Sequence, residues 1–263
     1  MSDLTVTLIQ ANLHWENIPA NLAMFDEKID AIREKTEVIV LPEMFSTGFS
    51  MQPERLAETM DGSAVQWMKK KAKEKNVILT GSLIIEDGGD YYNRLIWMLP
   101  NGQYGIYNKR HRFGFAGEED HYAAGDKRLI AQVKGWKINL NICYDLRFPV
   151  WARNTIQDNG APEYDVLINV ANWPERRSTP WRALLQARAI ENQCYVIGVN
   201  RVGNDGNDIY HSGDSSIIDP VGEIIYHKAN SEDVFTHTFS RAHLDEMRAK
   251  FPFMKDADKF MIL

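Results

Sequence analysis

Apolar residues recur along this chain with two periods. Short runs rich in β-branched residues fall at 4–10, 38–41, 77–85, 94–99, 104–109, 137–143, 166–171, 195–200, 215–219, 223–227 and 234–239, and each reads as a strand. So many strands require at least two sheets or one very large one. Between them the spacing turns helical. Residues 21–35 put Leu22, Phe25, Ile29 and Ile32 on one stripe, 63–75 opens on a cap at Asp61 or Ser63, and 180–192 follows Ser178-Thr179 with Pro180 in its first turn. Pro100-Asn101-Gly102 and Asp219-Pro220-Val221-Gly222 predict hairpins, hence antiparallel pairs. The strand–helix–strand order from Ile39 to Ile78 and from Ile142 to Ile168 predicts parallel or mixed neighbours. The expectation is a layered α/β protein with sheets inside and helices outside. With no linker, repeat or low-complexity stretch, residues 1–263 are read as one domain.

Composition narrows the function. The chain is 44% hydrophobic and 25% charged, as soluble globular proteins are, with a net charge of -6. Basic residues gather only at Lys69, Lys70, Lys71, Lys73 and Lys75, on a helix whose other side carries Val65, Met68 and Ala72, so they read as a solvated face. No nucleic-acid partner is expected. No apolar run approaches a membrane span of about 20 residues. Cys143 and Cys194 give no disulfide framework, and the chain enters its first strand without a signal-peptide layout, so a reduced, cytoplasmic setting is expected. The seven histidines are scattered without metal-ligand spacing, and Gly203-Asn204-Asp205-Gly206 reads as a turn, not a phosphate loop. Neither metal nor cofactor is expected.

Three strand patterns end in a group able to do chemistry, where a rigid sheet positions the loop that follows. Val38-Ile39-Val40-Leu41-Pro42 delivers Glu43, Gly105-Ile106-Tyr107-Asn108 delivers Lys109, and the alternation of Ile138, Leu140 and Ile142 delivers Cys143 on the opposite phase. Taken singly, Glu43 reads as a paired loop carboxylate, Lys109 as an edge lysine and Cys143 as evenly balanced between packing and reactivity. Cys194, with no reactive neighbour, is assigned to packing. A free thiol with a pKa of about 8.5 is mostly protonated at neutral pH, so a nucleophilic cysteine needs a base or a cation beside it. Glu43 can accept the proton. Lys109, with the backbone N–H of Tyr144, can hold the oxyanion of a tetrahedral intermediate. His111 is the competing base.

The words around these residues carry a resemblance. Cys143-Tyr144-Asp145-Leu146-Arg147-Phe148-Pro149, Leu41-Pro42-Glu43-Met44-Phe45 and Tyr107-Asn108-Lys109-Arg110-His111 resemble, in order, the nucleophile, base and lysine motifs of the nitrilase superfamily, the carbon–nitrogen hydrolases. The likeness implies a four-layer αββα sandwich and a Glu–Lys–Cys triad falling on Glu43, Lys109 and Cys143. It also implies a second active-site glutamate after the lysine; Glu118 is preferred by its offset from Gly125, with Glu119 left open. The wording from Arg110 to Glu118 and at Ala171-Asn172-Trp173-Pro174 is similar to the omega-amidase branch. That branch implies hydrolysis of the terminal amide of 2-oxoglutaramate or 2-oxosuccinamate through a cysteine thioester. Arg112 and Asn139 depart from the common pattern.

For such a small acidic amide, Phe45, Phe113 and Phe115 would narrow the pocket, Trp173 would line its mouth, and Arg176 would grip a carboxylate. Arg147 is a candidate ligand too, although the preferred reading pairs it with Asp145 or Glu163 as a brace. The expected partners are the amide substrate and a second copy of the chain in a homodimer. A nitrilase, an N-carbamoyl amide hydrolase and a non-catalytic scaffold with a retained hydrolase fold are the alternatives.

Overall fold

The computed structural model describes residues 2–262. Its strands are β1 (Leu4–Gln10), β2 (Val38–Val40), β3 (Ile78–Asp87), β4 (Asp90–Met98), β5 (Tyr104–Asn108), β6 (Ile130–Val133), β7 (Trp136–Ile142), β8 (Val166–Ala171), β9 (Tyr195–Asn200), β10 (Val202–Asn204), β11 (Tyr210–Ile218), β12 (Ile224–Ala229) and β13 (Asp233–Phe239). Its helices are α1 (Ile18–Asp30), α2 (Pro53–Leu56), α3 (Ser63–Lys75), α4 (Glu118–His121), α5 (Pro149–Ala152), α6 (Ser178–Asn192) and α7 (Arg241–Lys250).

One sheet runs β13-β1-β2-β3-β4-β5 and the other β10-β11-β9-β8-β7-β6, with β12 also paired to β11. Each has a parallel centre, β1-β2-β3 and β7-β8-β9, flanked by antiparallel strands. Register sorts the side chains into layers. Val6 lies opposite Val38, and Val38 opposite Ile78; these residues share one buried cluster with Ile138, Leu140 and Ile142 of the second sheet. The alternate positions Ile9, Ile39, Leu41 and Leu79 pack instead with Phe25 and Ile29 of α1 and with Ala64, Val65, Met68 and Ala72 of α3. On the second sheet α6 contributes Trp181, Leu185 and Ala189. The result is a four-layer αββα sandwich. A slip of one residue in β2 would exchange its two faces, and burial of each aliphatic side chain is worth about 1.5–3 kcal/mol, so the register is strongly specified.

The structure departs from the sequence reading at polar or short elements. The edge strands β6 and β10 and the helix α7 were not foreseen; β10 has three residues, and the only apolar residue α7 buries is Leu244. Helix α1 begins earlier, where Asn17 Oδ1 accepts the Ala20 N–H at 3.1 Å, and ends five residues short of 35. The lysine helix is not wholly a solvated face. Lys71 is buried against Asp26 at 2.7 Å and Asp30 at 3.3 Å, because α1 presents two carboxylates across the helix–helix contact.

Candidate active site

Glu43 leaves the end of β2 and Lys109 follows β5, so two strands of one sheet aim opposite charges at the same point. Lys109 Nζ lies 2.9 Å from Glu43 Oε1 and 2.9 Å from each carboxylate oxygen of Glu118. None of these side chains is more than 1% exposed. Glu43 is fixed from three sides: Asn93 Nδ2 donates to Oε1 at 2.7 Å, the Asn172 N–H donates to Oε2 at 2.7 Å, and Asn172 Nδ2 reaches the Glu43 carbonyl. Burial alone would lower the Lys109 pKa, but Glu118, Glu43 and Cys143 overcome it and hold the ammonium well above its ordinary range. Burial raises the Glu118 pKa, against the pull of Lys109. Glu119 is exposed, so the loop turns Glu118 and not Glu119 inward.

The path of that loop is set by Gly125. Its N–H donates to the Lys109 carbonyl at 2.9 Å, and a Cβ there would lie 2.1 Å from the Asn108 carbonyl oxygen. Only glycine permits the returning chain to lie on the backbone next to the lysine.

Cys143 directly follows β7 with φ 45, a left-handed conformation that turns the chain sharply into the 3-10 segment Cys143–Arg147. It is 9% exposed, whereas Cys194 is 0% exposed. Burial, then the negative charge of Glu43, push the Cys143 thiol well above its ordinary pKa, and Lys109 opposes them. The thiol is therefore protonated at rest and adjoins a carboxylate able to take its proton.

Asp145 ties this turn to the lysine strand. It accepts the Ile142 N–H at 3.0 Å, the His111 N–H at 3.0 Å and the Tyr107 hydroxyl at 2.7 Å. His111 Nδ1 also lies 2.8 Å from Asp145, and its ring stacks on Phe148. That imidazole braces the turn and does not line the cavity, which removes the observation a His111 base would need.

A cavity of about 240 Å³ opens on Cys143, lined among others by Phe113, Phe115, Tyr144, Trp173 and Arg147, Arg176 and Arg177. Arg147 requires a correction. It braces neither Asp145, which is occupied as above, nor Glu163, which pairs with Arg128 at 3.1 Å; instead its guanidinium stacks 4.9 Å from the Trp173 ring, within the cavity. Phe45 requires another. It is fully buried beneath the first sheet, 5.6 Å from Phe25 and 5.8 Å from Trp67, because the turn at Met44, with φ 43, carries it to the helix side. Phe49, further along the same segment, takes the place expected for it, 5.0 Å from Lys109 Nζ.

Sequence reasoning did not single out Asn93 or Arg177. Nothing in the local words around Asn93 marks it, whereas Arg177 adjoins Arg176 in the same mouth segment. Arg177 stacks on Phe113 at 4.9 Å, and burial, then repulsion from Arg176 and Arg147, lower its pKa, with Cys143 opposing.

The arrangement is that of the nitrilase superfamily fold. Residues 5–249 match the family described as carbon–nitrogen hydrolase. Omega-amidase YafV of Escherichia coli K12 is 45% identical over 266 residues, spanning 100% of each chain. The 2-oxoglutaramate amidase of Bacillus subtilis is 32% identical, over 97% of this chain and 98% of its own. A solved CN-hydrolase superfamily protein from Xanthomonas campestris, with an arsenic adduct in its active site, is 41% identical and superposes over 100% of both chains with a TM-score of 0.98. Saccharomyces cerevisiae Nit3 follows the fold with a TM-score of 0.84 at 25% identity, over 95% of this chain and 94% of its own. The chain belongs to the carbon–nitrogen hydrolase family. It is an enzyme, a hydrolase of carbon–nitrogen bonds.

Proposed function

We propose that the protein is an omega-amidase that hydrolyses the terminal amide of 2-oxoglutaramate or 2-oxosuccinamate, releasing ammonia and the 2-oxo dicarboxylate. The observation that carries this reading is the convergence of Arg147, Arg176 and Arg177 on the cavity that ends at Cys143. A small anionic tail held by guanidinium groups would leave the far amide at the sulfur.

In this reading Glu43 takes the Cys143 proton as the sulfur attacks the amide carbon. Lys109 and the Tyr144 N–H hold the oxyanion; the ammonium has three N–H bonds, enough for Glu43, Glu118 and the substrate oxygen. Glu43 then returns the proton to the amide nitrogen, the C–N bond breaks, ammonia leaves and a thioester remains. Water enters, Glu43 takes its proton, and collapse of the second tetrahedral intermediate frees the acid and restores the thiol. Glu118 keeps Lys109 charged and in place.

Ammonia release measured across 2-oxoglutaramate, 2-oxosuccinamate, glutamine, asparagine and uncharged linear amides tests the reading. The expected outcome is the highest kcat/KM for the 2-oxo acid amides. Preference for an uncharged amide would overturn it.

A further inference from the structure

The cavity has a second pole that the proposed chemistry does not use, built on the turn between β10 and β11. Asp205 Oδ1 accepts the backbone N–H of Asn207 at 2.8 Å and of Ile209 at 3.0 Å, which leaves Oδ2 without a hydrogen bond among the described residues. His211 lines the same cavity, 2% exposed, with Nδ1 2.9 Å from the Ile209 carbonyl oxygen. A carbonyl only accepts, so Nδ1 carries the hydrogen and Nε2 of the neutral ring is an acceptor.

Behind both stands Arg201, fully buried. Its Nη2 donates to Asn12 Oδ1 at 3.2 Å and to the Asn204 carbonyl at 2.7 Å. Burial and then Arg201 bring the His211 pKa down to about 4, while Asp205 and the carbonyls of Ile209 and Gly203 act the other way. The imidazole is neutral at physiological pH. This pole therefore offers one anionic and one neutral acceptor.

We propose that Asp205 and His211 determine specificity at the carbon next to the substrate carboxylate, where they take an α-ammonium group and so admit α-amino acid ω-amides beside the 2-oxo acids. An oxo oxygen is itself an acceptor and gains nothing from such a pole. An ammonium gains a charge-assisted bond to Asp205 and a neutral one to Nε2. The inference rests on the amidase reading above, since the arginines must hold the carboxylate for the neighbouring carbon to face this pole.

The test measures ammonia release from 2-oxoglutaramate and from glutamine, with each also run as a competitor of the other, in the wild-type enzyme, Asp205→Asn and His211→Phe. Asp205→Asn retains an oxygen for the turn amides, so it keeps the experiment informative if His211→Phe does not fold. The expected result is a loss of about tenfold or more in kcat/KM for glutamine in Asp205→Asn, with 2-oxoglutaramate changed by less than about threefold. Equal losses on both substrates would overturn the inference, as would a wild-type enzyme that neither hydrolyses glutamine nor is inhibited by it. Turnover of glutamine without turnover of 2-oxoglutaramate would instead overturn the amidase reading proposed above.

Discussion

Glu43 and Lys109 form an ion pair at 2.9 Å in which neither side chain is more than 1% exposed. Taking both charges out of water costs several kcal/mol per ion, and such a pair persists only where further hydrogen bonds complete it. Here Asn93, Asn172 and Glu118 do so. The pair is therefore a preorganised element that Glu118 helps to complete.

Removing that support has a defined effect. In Glu118→Gln the Lys109 ammonium loses the largest of the charges that raise its pKa, so the lysine pKa falls. The expected result is a drop in kcat of about 10²-fold with KM changed much less, since the loss lies in charge placement and not in substrate contacts. Steady-state kinetics checks it; a rise in KM alone would mean that Glu118 serves binding.

The thiol makes a second prediction, and its sign is counterintuitive. Burial and Glu43 raise the Cys143 pKa, so the reactive thiolate fraction is small near neutrality and grows about tenfold per pH unit below that pKa. Glu43→Gln removes an anion while Lys109 stays, which lowers the thiol pKa. At a given pH, iodoacetamide should alkylate Cys143 faster in Glu43→Gln than in the wild type, although amide hydrolysis is lost. Mass-spectrometric labelling rates, with the fully buried Cys194 as the internal control, decide this.

Backbone strain at Cys143 gives a third. With φ 45, any side chain there is held in a conformation that costs an L-residue about 1–2 kcal/mol. Both Cys143→Ala and Cys143→Gly should lose at least about 10⁴-fold in turnover. The glycine variant should nonetheless be at least as stable as the alanine variant in thermal unfolding, although glycine at an unstrained position is the poorer choice by about 0.5–1 kcal/mol.

Arg177 separates binding from chemistry. Arg177→Gln should raise KM for 2-oxoglutaramate about tenfold and leave kcat/KM for an uncharged linear amide within about threefold. An equal loss on both substrates would place Arg177 in a structural role, through its stack on Phe113.

Tyr107 carries the fifth. Its hydroxyl donates to Asp145 at 2.7 Å and accepts from Trp151 Nε1 at 2.9 Å, so Tyr107→Phe leaves a buried indole N–H unpaired. A loss of about 1–3 kcal/mol in denaturant unfolding is expected.

What the sequence made legible follows from where its physics is local. The alternation in β1 and β7 and the wholly apolar run of β2 mark buried strands, so a layered α/β architecture could be read from the chain, while the four αββα layers followed from the family resemblance. Glu43, Lys109 and Cys143 stood at strand ends, where position along the chain is position in the fold. Asn93 lies mid-strand in β4 and reaches Glu43 only through tertiary contact. Phe45 was misplaced because, beyond Pro42, the chain leaves strand geometry and Met44 takes φ 43, so the period that places a strand residue no longer applies. Lys71 looked solvated because its partners lie on another helix.

The loop from Lys109 to Gly125 is pinned at both feet, by the Gly125 N–H on the Lys109 carbonyl and by the glycine's contact with Asn108. Its outermost part, Gly114–Ala116, stands in solvent with Phe115 82% exposed over the cavity. A change in the exposed Phe115 side chain would alter what enters, whereas the backbone beside it is tied to the chemistry, since the Phe113 N–H donates to Glu118 Oε2. Substrate choice can thus shift in evolution by recolouring one side chain of the arch, while lengthening the arch would disturb the carboxylate that holds Lys109.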